Sequence, residues 1–480
     1  MRRRTEAVRG MLGCGRTPAR AAVALCTAAL GMSVALPARA AAGAAAPVPY
    51  AFDPGARTVQ GATGTAGAVR LDPGRTYRSS LPAGGKRYYR LDLDATATAY
   101  VSATAVPQEG AAVSSSDGLK VSVQDADGTL CSSGTTHVGP TQSPHPIAAS
   151  AARETGPGTY VCGRAGVYYA VVEQRDLSTP ASGDWDLELD YVSEPALNRP
   201  GSTAPPSAWN SAAPQPLAGE AKRRAGGAGF AMAGAVGQGV WQGAIRPGQT
   251  VFYKVPVDWG QQLSATAELG GSTGGDGYVG TALAMALYNP VRAHVADADA
   301  GYSGARASAA LDPLPPVDHA NRHAVGSRAS GMRFAGWYYL AVHLGAPVAD
   351  RFGQGPFGLT LRVRVGGTPA SAPAYAGRPA PRDVFEVTAA DRQEAAAGTE
   401  EEGGGGDRPT GTGTGGDVPR ADGDGGGGGT GGGGSEGGGR DGRAMKLVAV
   451  SGIGTGSLLV LGLAVWTLAA RRRAGGGRPG

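Results

Sequence analysis

Cysteine is scarce here, with four residues in 480. Cys14 and Cys26 fall in the first forty residues, so a chain that loses those residues keeps only Cys131 and Cys162. These two are not in a Cys-x-x-Cys arrangement and have only distant histidines for company, which argues against a redox or metal role. Helical periodicity over eleven or more residues is missing from positions 71–195. A Gly-x-Ser-x-Gly elbow, a Walker loop, a dinucleotide fingerprint and EF-hand spacing are missing from the chain between its termini. No Leu-Pro-x-Thr-Gly sorting signal precedes the apolar run near the C-terminus, and no lipobox surrounds Cys26.

What is present divides the chain into segments. Six arginines between Arg2 and Arg20, the apolar run Ala21 to Leu36 and Ala38-Arg39-Ala40 have the form of a secretory signal peptide over 1–40. In an exported chain the two remaining cysteines are expected to pair. Closing a loop of about 30 residues in this way stabilises by about 3.5 kcal/mol in the chain-entropy view. At the other end, 403–445 is a Gly-rich stretch expected to act as a disordered tether. Leu447 to Ala470 is apolar and long enough for a transmembrane helix, and Arg471-Arg472-Arg473 opens a tail over 471–480. This arrangement predicts a single-pass protein of the cell membrane, with its N-terminal region extracellular and a short cytoplasmic C-terminus.

The formal charge of +5 is concentrated at the ends. Setting aside the seven Arg and one Glu of 1–40 and the four Arg of the tail leaves 33 basic against 38 acidic residues. A mildly acidic exterior argues against nucleic acid as a partner.

Between the ends, short segments alternate at period two. In 71–195 they include Lys86 to Leu93, Leu119 to Val123, Gly166 to Val172 and Trp185 to Tyr191, with Asp127-Gly128 as a hairpin signal. In 236–367 the same order returns. Thr250 to Val255 follows a Pro/Gly turn as Lys86 to Leu91 does, Gln262 to Ala267 parallels Tyr100 to Ala105, Gly336 to Val342 parallels Gly166 to Val172, and Phe357 to Val363 parallels Trp185 to Tyr191. Four ordered matches at offsets of 162 to 172 residues indicate an internal repeat. Strands with one apolar face need a second sheet to cover them. The expected fold is therefore all-β: two tandem jelly-roll-like β-sandwiches, with a 41–70 extension, a Pro/Ala/Gly-rich linker over 196–235 and a juxta-domain segment over 368–402. In the last of these, Asp383 to Thr388 suggests a strand and Arg392 to Glu402 a brief helix. The linker is expected either to let the modules reorient or to pack along one module's edge.

The aromatic residues stand out as core or surface candidates: Tyr88, Tyr89, Tyr168, Tyr169, Tyr253, Trp337, Tyr338 and Tyr339. Neighbours on a strand point to opposite faces, so each Tyr-Tyr pair sends one ring inward and one outward. Asp125-Ala126-Asp127-Gly128 and Asp297-Ala298-Asp299-Ala300-Gly301 read as turns whose carboxylates cap local backbone groups, with calcium binding as the alternative. His137 and His145, and likewise His319 and His323, read as loop residues, with weak zinc binding as the alternative for the second pair. Asp72, Ser132 and His145 form a hydrolytic trio only on paper. No enzyme activity and no cofactor is expected.

The turn followed by Tyr-Tyr-x-Leu-x-Leu at 88–93 and Gly-Val-Tyr-Tyr-x-Val-Val at 166–172, with a closing hydrophobic strand, resembles the bacterial pre-peptidase C-terminal domain. The resemblance spans both modules, about half the chain. It implies a jelly-roll-like sandwich of the kind appended to secreted enzymes, some of which are linked to carbohydrate or calcium binding. The layout also resembles uncharacterised actinobacterial surface proteins, some of them similar to the region beside a von Willebrand A domain. The Asp-x-Ser-x-Ser adhesion motif is missing here, so metal-dependent adhesion does not carry over. The expected role is a non-enzymatic surface protein presenting two modules to a cell-envelope protein or wall polysaccharide. The alternative is an accessory subunit of an enzyme, transport or membrane-protein complex.

Overall fold

A computed structural model describes residues 48–400, apart from short gaps at 109, 142, 157–160, 176–182 and 215–216. The described residues are all-β in character and belong to one compact unit. The signal-peptide reading and the Gly-rich tether lie outside them.

The first sandwich is built from β1 (Arg57–Thr58), β2 (Val69–Arg70), β3 (Arg75–Leu81), β4 (Lys86–Leu93), β5 (Thr98–Pro107), β6 (Gly118–Asp125), β7 (Leu130–His137), β8 (Ile147–Arg153), β9 (Gly166–Arg175) and β10 (Trp185–Glu194). The second uses β11 (Ala221–Arg223), β12 (Gly234–Ala235), β13 (Gly239–Ile245), β14 (Thr250–Val257), β15 (Gln262–Leu269), β16 (Val279–Tyr288), β17 (His294–Tyr302), β18 (Ala307–Ala310), β19 (Gly336–Leu344) and β20 (Phe357–Gly366). A short β21 (Thr399–Glu400) closes one edge.

The two halves match strand for strand. One sheet of the first sandwich runs β1-β3-β10-β5-β8, and its counterpart runs β11-β13-β20-β15-β18 with β21 added beyond β11. The other runs β2-β4-β9-β6-β7, matched by β12-β14-β19-β16-β17. Even the short parallel pairings recur, β1 with β3 and β11 with β13, β2 with β4 and β12 with β14. Register is kept too: Lys86 faces Glu173 and Leu93 faces Gly166, just as Thr250 faces His343 and Val257 faces Gly336. The inward positions of each sheet pair form separate cores, one around Tyr89, Leu91, Val121, Trp185 and Leu187, the other around Tyr253, Leu263, Leu340 and Leu361.

Several boundaries differ from the sequence reading. The strands β1 and β2 come from the stretch taken as an extension, and β11 and β12 from the stretch taken as a linker. The linker is tied down beyond this: Asn198 donates its backbone N–H to Ala374. Residues 383–388 form a turn and cap rather than a strand, and the helix is Ala389–Ala396. Thr388 and Asp391 make a reciprocal capping box that starts it earlier than composition suggested.

The transmembrane expectation is corrected. Among the described residues no helix is long and apolar enough to cross a membrane, and the segment 447–470 lies outside them. The described residues form two sandwiches, with no membrane-spanning helix among them. The single-pass topology, the cell-membrane localisation and a partner reached through a span are withdrawn with it.

Candidate functional site

The two sandwiches stack back to back. The outward face of the β1-β3-β10-β5-β8 sheet lies against the outward face of the β12-β14-β19-β16-β17 sheet, and the seam between them gathers the chemically unusual side chains. Its first element is β10, where Trp185, Leu187, Leu189 and Tyr191 point into the core and Glu188, Asp190, Val192 and Glu194 point away from it. An alternation of this kind ordinarily marks a solvent face. Here the second sandwich covers it, and Glu188 and Glu194 are 0% and 2% exposed.

Buried charge persists only when paired and hydrogen-bonded. Glu188 accepts from Arg292 Nη1 at 2.6 Å, from the Tyr50 hydroxyl at 3.1 Å and from the Asp53 backbone N–H at 2.8 Å. Asp190 lies 4.0 Å from Arg292 Nε. The turn between β16 and β17 delivers this arginine with a left-handed backbone, φ 57°, while the Asn289 side chain accepts from Val291 and Ala293. Glu194 accepts from Arg322 Nη2 at 2.6 Å, Tyr100 at 2.8 Å and Tyr375 at 3.0 Å, and His319 Nε2 stands 3.6 Å away. Burial pushes the Glu194 carboxyl up, but His319, Arg322 and Tyr100 outweigh it and hold it at about 2. Apolar contacts surround these knots: Phe230, Phe252, Tyr288 and Ala148 in one patch, Tyr100, Phe334 and Phe385 in another.

Two clefts open along the seam. One of about 670 Å³ has Tyr50, Phe52, Arg78 and Asp186 in its walls; Arg78 lies 4.2 Å over the Phe52 ring and 3.3 Å from Asp186. The other, about 550 Å³, is lined by hydroxyls and carboxylates, among them Thr135, Thr281, Asp297 and Asp299. They share His145, Pro146 and Thr250. At their meeting point His145 of the first sandwich stacks on His343 of the second, ring centroids 4.4 Å apart.

Of the aromatic residues read from the sequence, Tyr89, Tyr168, Tyr253 and Tyr338 are core residues. Tyr88 and Tyr169 are half-buried on the outward face of the β2-β4-β9-β6-β7 sheet. Tyr339 faces the seam and packs on Phe230, while Trp337 lies 4.2 Å from Lys254 Nζ. Cys131 and Cys162 form a disulfide. Asp125 Oδ1 accepts from Asp127 and Thr129 N–H groups, a local turn. Asp297 and Asp299, in contrast, lie on β17, where Asp297 meets His294 at 3.3 Å and Asp299 accepts from Thr281 at 3.4 Å. The hydrolytic trio is not assembled: Asp72 pairs with Arg57 and Arg70, Ser132 bonds the Ala152 backbone, and His145 is at the seam. Among the described residues no group of three or more His, Cys, Asp or Glu side chains is placed to hold a metal ion.

Sequence reasoning missed Glu188, Glu194, Arg292, Arg322 and His343. A usable signal existed in β14, Thr-Val-Phe-Tyr-Lys-Val-Pro-Val, whose near-continuous apolar run indicates burial on both faces, unlike the alternating Lys-Arg-Tyr-Tyr-Arg-Leu-Asp-Leu of β4.

No known family model matches the chain, and no curated protein matches it either. Among solved structures it is similar to a tandem CBM22 domain of Paenibacillus barcinonensis Xyn10C, at 8% identity over 60% of this chain and 84% of that one, TM-score 0.16. It is also similar to tripeptidyl peptidase 2, at 8% identity over 68% and 28%, TM-score 0.20, and to the PBSX exported protein XepA, at 9% identity over 66% and 98%, TM-score 0.16. The chain spans about a quarter of the tripeptidyl peptidase. At these scores none of the three supports an argument about function.

Proposed function

We propose that this is a non-enzymatic extracellular binding or structural protein whose two sandwiches act as one body toward a cell-envelope partner, a protein or a wall polysaccharide. The observation that carries the proposal is the buried seam. Charge pairs, aromatic patches and the segments before the first sandwich and after the second lock the sandwiches together, and the two clefts that meet at His145 have walls contributed by both sandwiches. A ligand held there touches both modules at once. The aromatic and arginine wall of the larger cleft suits stacking against flat apolar surface, and the hydroxyl and carboxylate wall of the smaller one suits a ligand rich in hydrogen-bonding groups. The disulfide agrees with an oxidising, extracellular setting.

The test is capture by the purified full chain of, separately, soluble wall glycan and envelope protein extract, compared with the Phe52→Ala and Asp299→Asn variants. Retention of one class that either variant weakens at least tenfold supports the reading. Retention that both variants leave unchanged, or none at all, rejects the seam as the binding surface. Recovery of one protein in fixed stoichiometry turns the assignment to the accessory-subunit form of the same role.

A further inference from the structure

The seam holds one contact that its charge pairs do not explain. His145, in the loop between β7 and β8, and His343, on the outward face of β19, stack with an interplanar angle of 25°. Each sandwich supplies one ring. We propose that this pair is an acid-sensitive latch, holding the seam shut while both rings are neutral and driving it apart when they take up protons.

The hydrogen bonds fix the neutral state. The Ser143 carbonyl lies 2.7 Å from His145 Nδ1, and a carbonyl only accepts, so this nitrogen carries the hydrogen. His343 Nδ1 meets the Thr250 hydroxyl at 3.0 Å, while its Nε2 has no hydrogen-bond partner and the residue is 3% exposed. A proton on His343 Nε2 therefore has no hydrogen-bond acceptor, and protonation of both rings places two imidazolium ions face to face. Beside the stack, Ser143 Oγ accepts from the Ala346 N–H across the seam, so the loop carrying His145 is itself part of the hold.

Among the described residues no carboxylate is hydrogen-bonded to or ion-paired with either ring of the pair. The charged and titratable groups lining the two clefts around the pair are His137 at the end of β7, Tyr288 of β16, His294, Asp297 and Asp299 of β17, and Tyr50, Arg78 and Asp186 in the adjoining cleft. Asp297 lies against His294, Asp299 accepts from Thr281, and Arg78 and Asp186 pair with each other, so each carboxylate is directed to a partner other than the two rings. Burial lowers His145, and burial followed by the neighbouring His145 lowers His343 well below the ordinary histidine value. The sign follows directly. Unfolded chains protonate these rings near pH 6.5 and the folded seam resists it, so the unfolded state binds more protons and stability falls as pH drops below about 6.5. Glu194 acts in a separate, lower window. The latch stands whether or not the clefts bind the partner proposed above.

The experiment is a pH titration of the full chain by NMR of ¹³Cε1-labelled histidine, with H145Q and H343Q assigning the two resonances, together with thermal melting from pH 7.5 to 5.0. Expected are a His145 resonance titrating below 6.5, a His343 resonance titrating well below it, and a wild-type midpoint that drops by about 3–6 °C across that range, with at least half of the drop abolished in each variant. Titration of both rings at or above 6.5 overturns the proposal. So does a low titration accompanied by the same pH dependence of melting in wild type and variants. If neither variant folds, the two wild-type resonances and the wild-type melting curve decide: absence of either the low titration or the midpoint drop rejects the latch.

Discussion

The Arg292 guanidinium is held by two carboxylates of β10, Glu188 and Asp190, and lies 5.0 Å over the Phe230 ring. Burial alone disfavours its charge, but Asp190 and Glu188 more than restore it, so the guanidinium is held above its ordinary value. An ion pair of this kind contributes little relative to well-packed apolar groups, yet breaking it is costly because the orphaned partner stays buried. Replacing Arg292 by Ala is therefore expected to cost about 3–5 kcal/mol in urea unfolding. The joint change Arg292→Met, Glu188→Leu, Asp190→Asn is expected to recover most of that. A loss below about 1 kcal/mol for R292A would show that water reaches Glu188. His343 illustrates what residue-level reading could not supply: a histidine inside an apolar strand looks like any core histidine until its stacking partner arrives from 198 positions away.

At the scale of elements, the disulfide joins the start of β7 to the loop ahead of β9, at a sequence separation of 31. Because β7 is an edge strand held in its sheet by β6 alone, the bridge limits how far that edge can fray. Removing it as Cys131→Ser, Cys162→Ser is expected to cost about 3.5 kcal/mol by loop-closure entropy, measured as a lowered unfolding midpoint in denaturant. An unchanged midpoint would place the bridge outside the cooperative unit. Strands were the legible part of this sequence. Period-two alternation located the four repeated segments because each of them faces a core; three keep the register read from the sequence, while Gln262 proves to match Thr98 rather than Tyr100, a slip of two that leaves the inward face unchanged. The short parallel strands β1, β2, β11 and β12 were illegible: two or three residues carry no period, and their place is set by a neighbouring strand. The seam was illegible for a different reason. Alternation reports which residues of a strand point together, and says nothing of what the other face meets.

For the molecule as a whole, the carboxylates of the seam set a second acid limit. Glu194 is held at about 2 against an ordinary 4.5, so its contribution is complete above pH 4.5 and is lost as pH falls toward 2. That difference corresponds to on the order of 3 kcal/mol. Acid unfolding of the intact chain is expected to steepen below pH 4.5, and Glu194→Gln to flatten that limb while lowering stability at neutral pH. An unchanged acid limb in E194Q would assign the acid response to other carboxylates.

The stacking of the two sandwiches has a bearing on self-assembly. The seam joins the β10 sheet of the first to the β19 sheet of the second, and these are not counterparts: the repeat equates β10 with β20 and β9 with β19. It is a head-to-tail contact, and such contacts propagate into filaments unless the free ends are changed. The free ends here are the β9 sheet and the β20 sheet, the very pair that a next molecule's seam would reuse. Both have been altered. On the first, Lys86 is matched to Glu173 at 3.4 Å and Arg90 to Asp92 at 2.8 Å; on the second, Arg362 is matched to Glu268 at 2.7 Å. Ion pairs made within each outer face occupy these carboxylates, so none of them is left to receive an arginine from a next molecule as Glu188 and Glu194 do at the seam, and sedimentation is expected to show one species rather than a ladder. A tandem repeat joined head to tail carries the growth rule of a fibre, and a single sedimenting species is the sign that these self-paired side chains stop it after two.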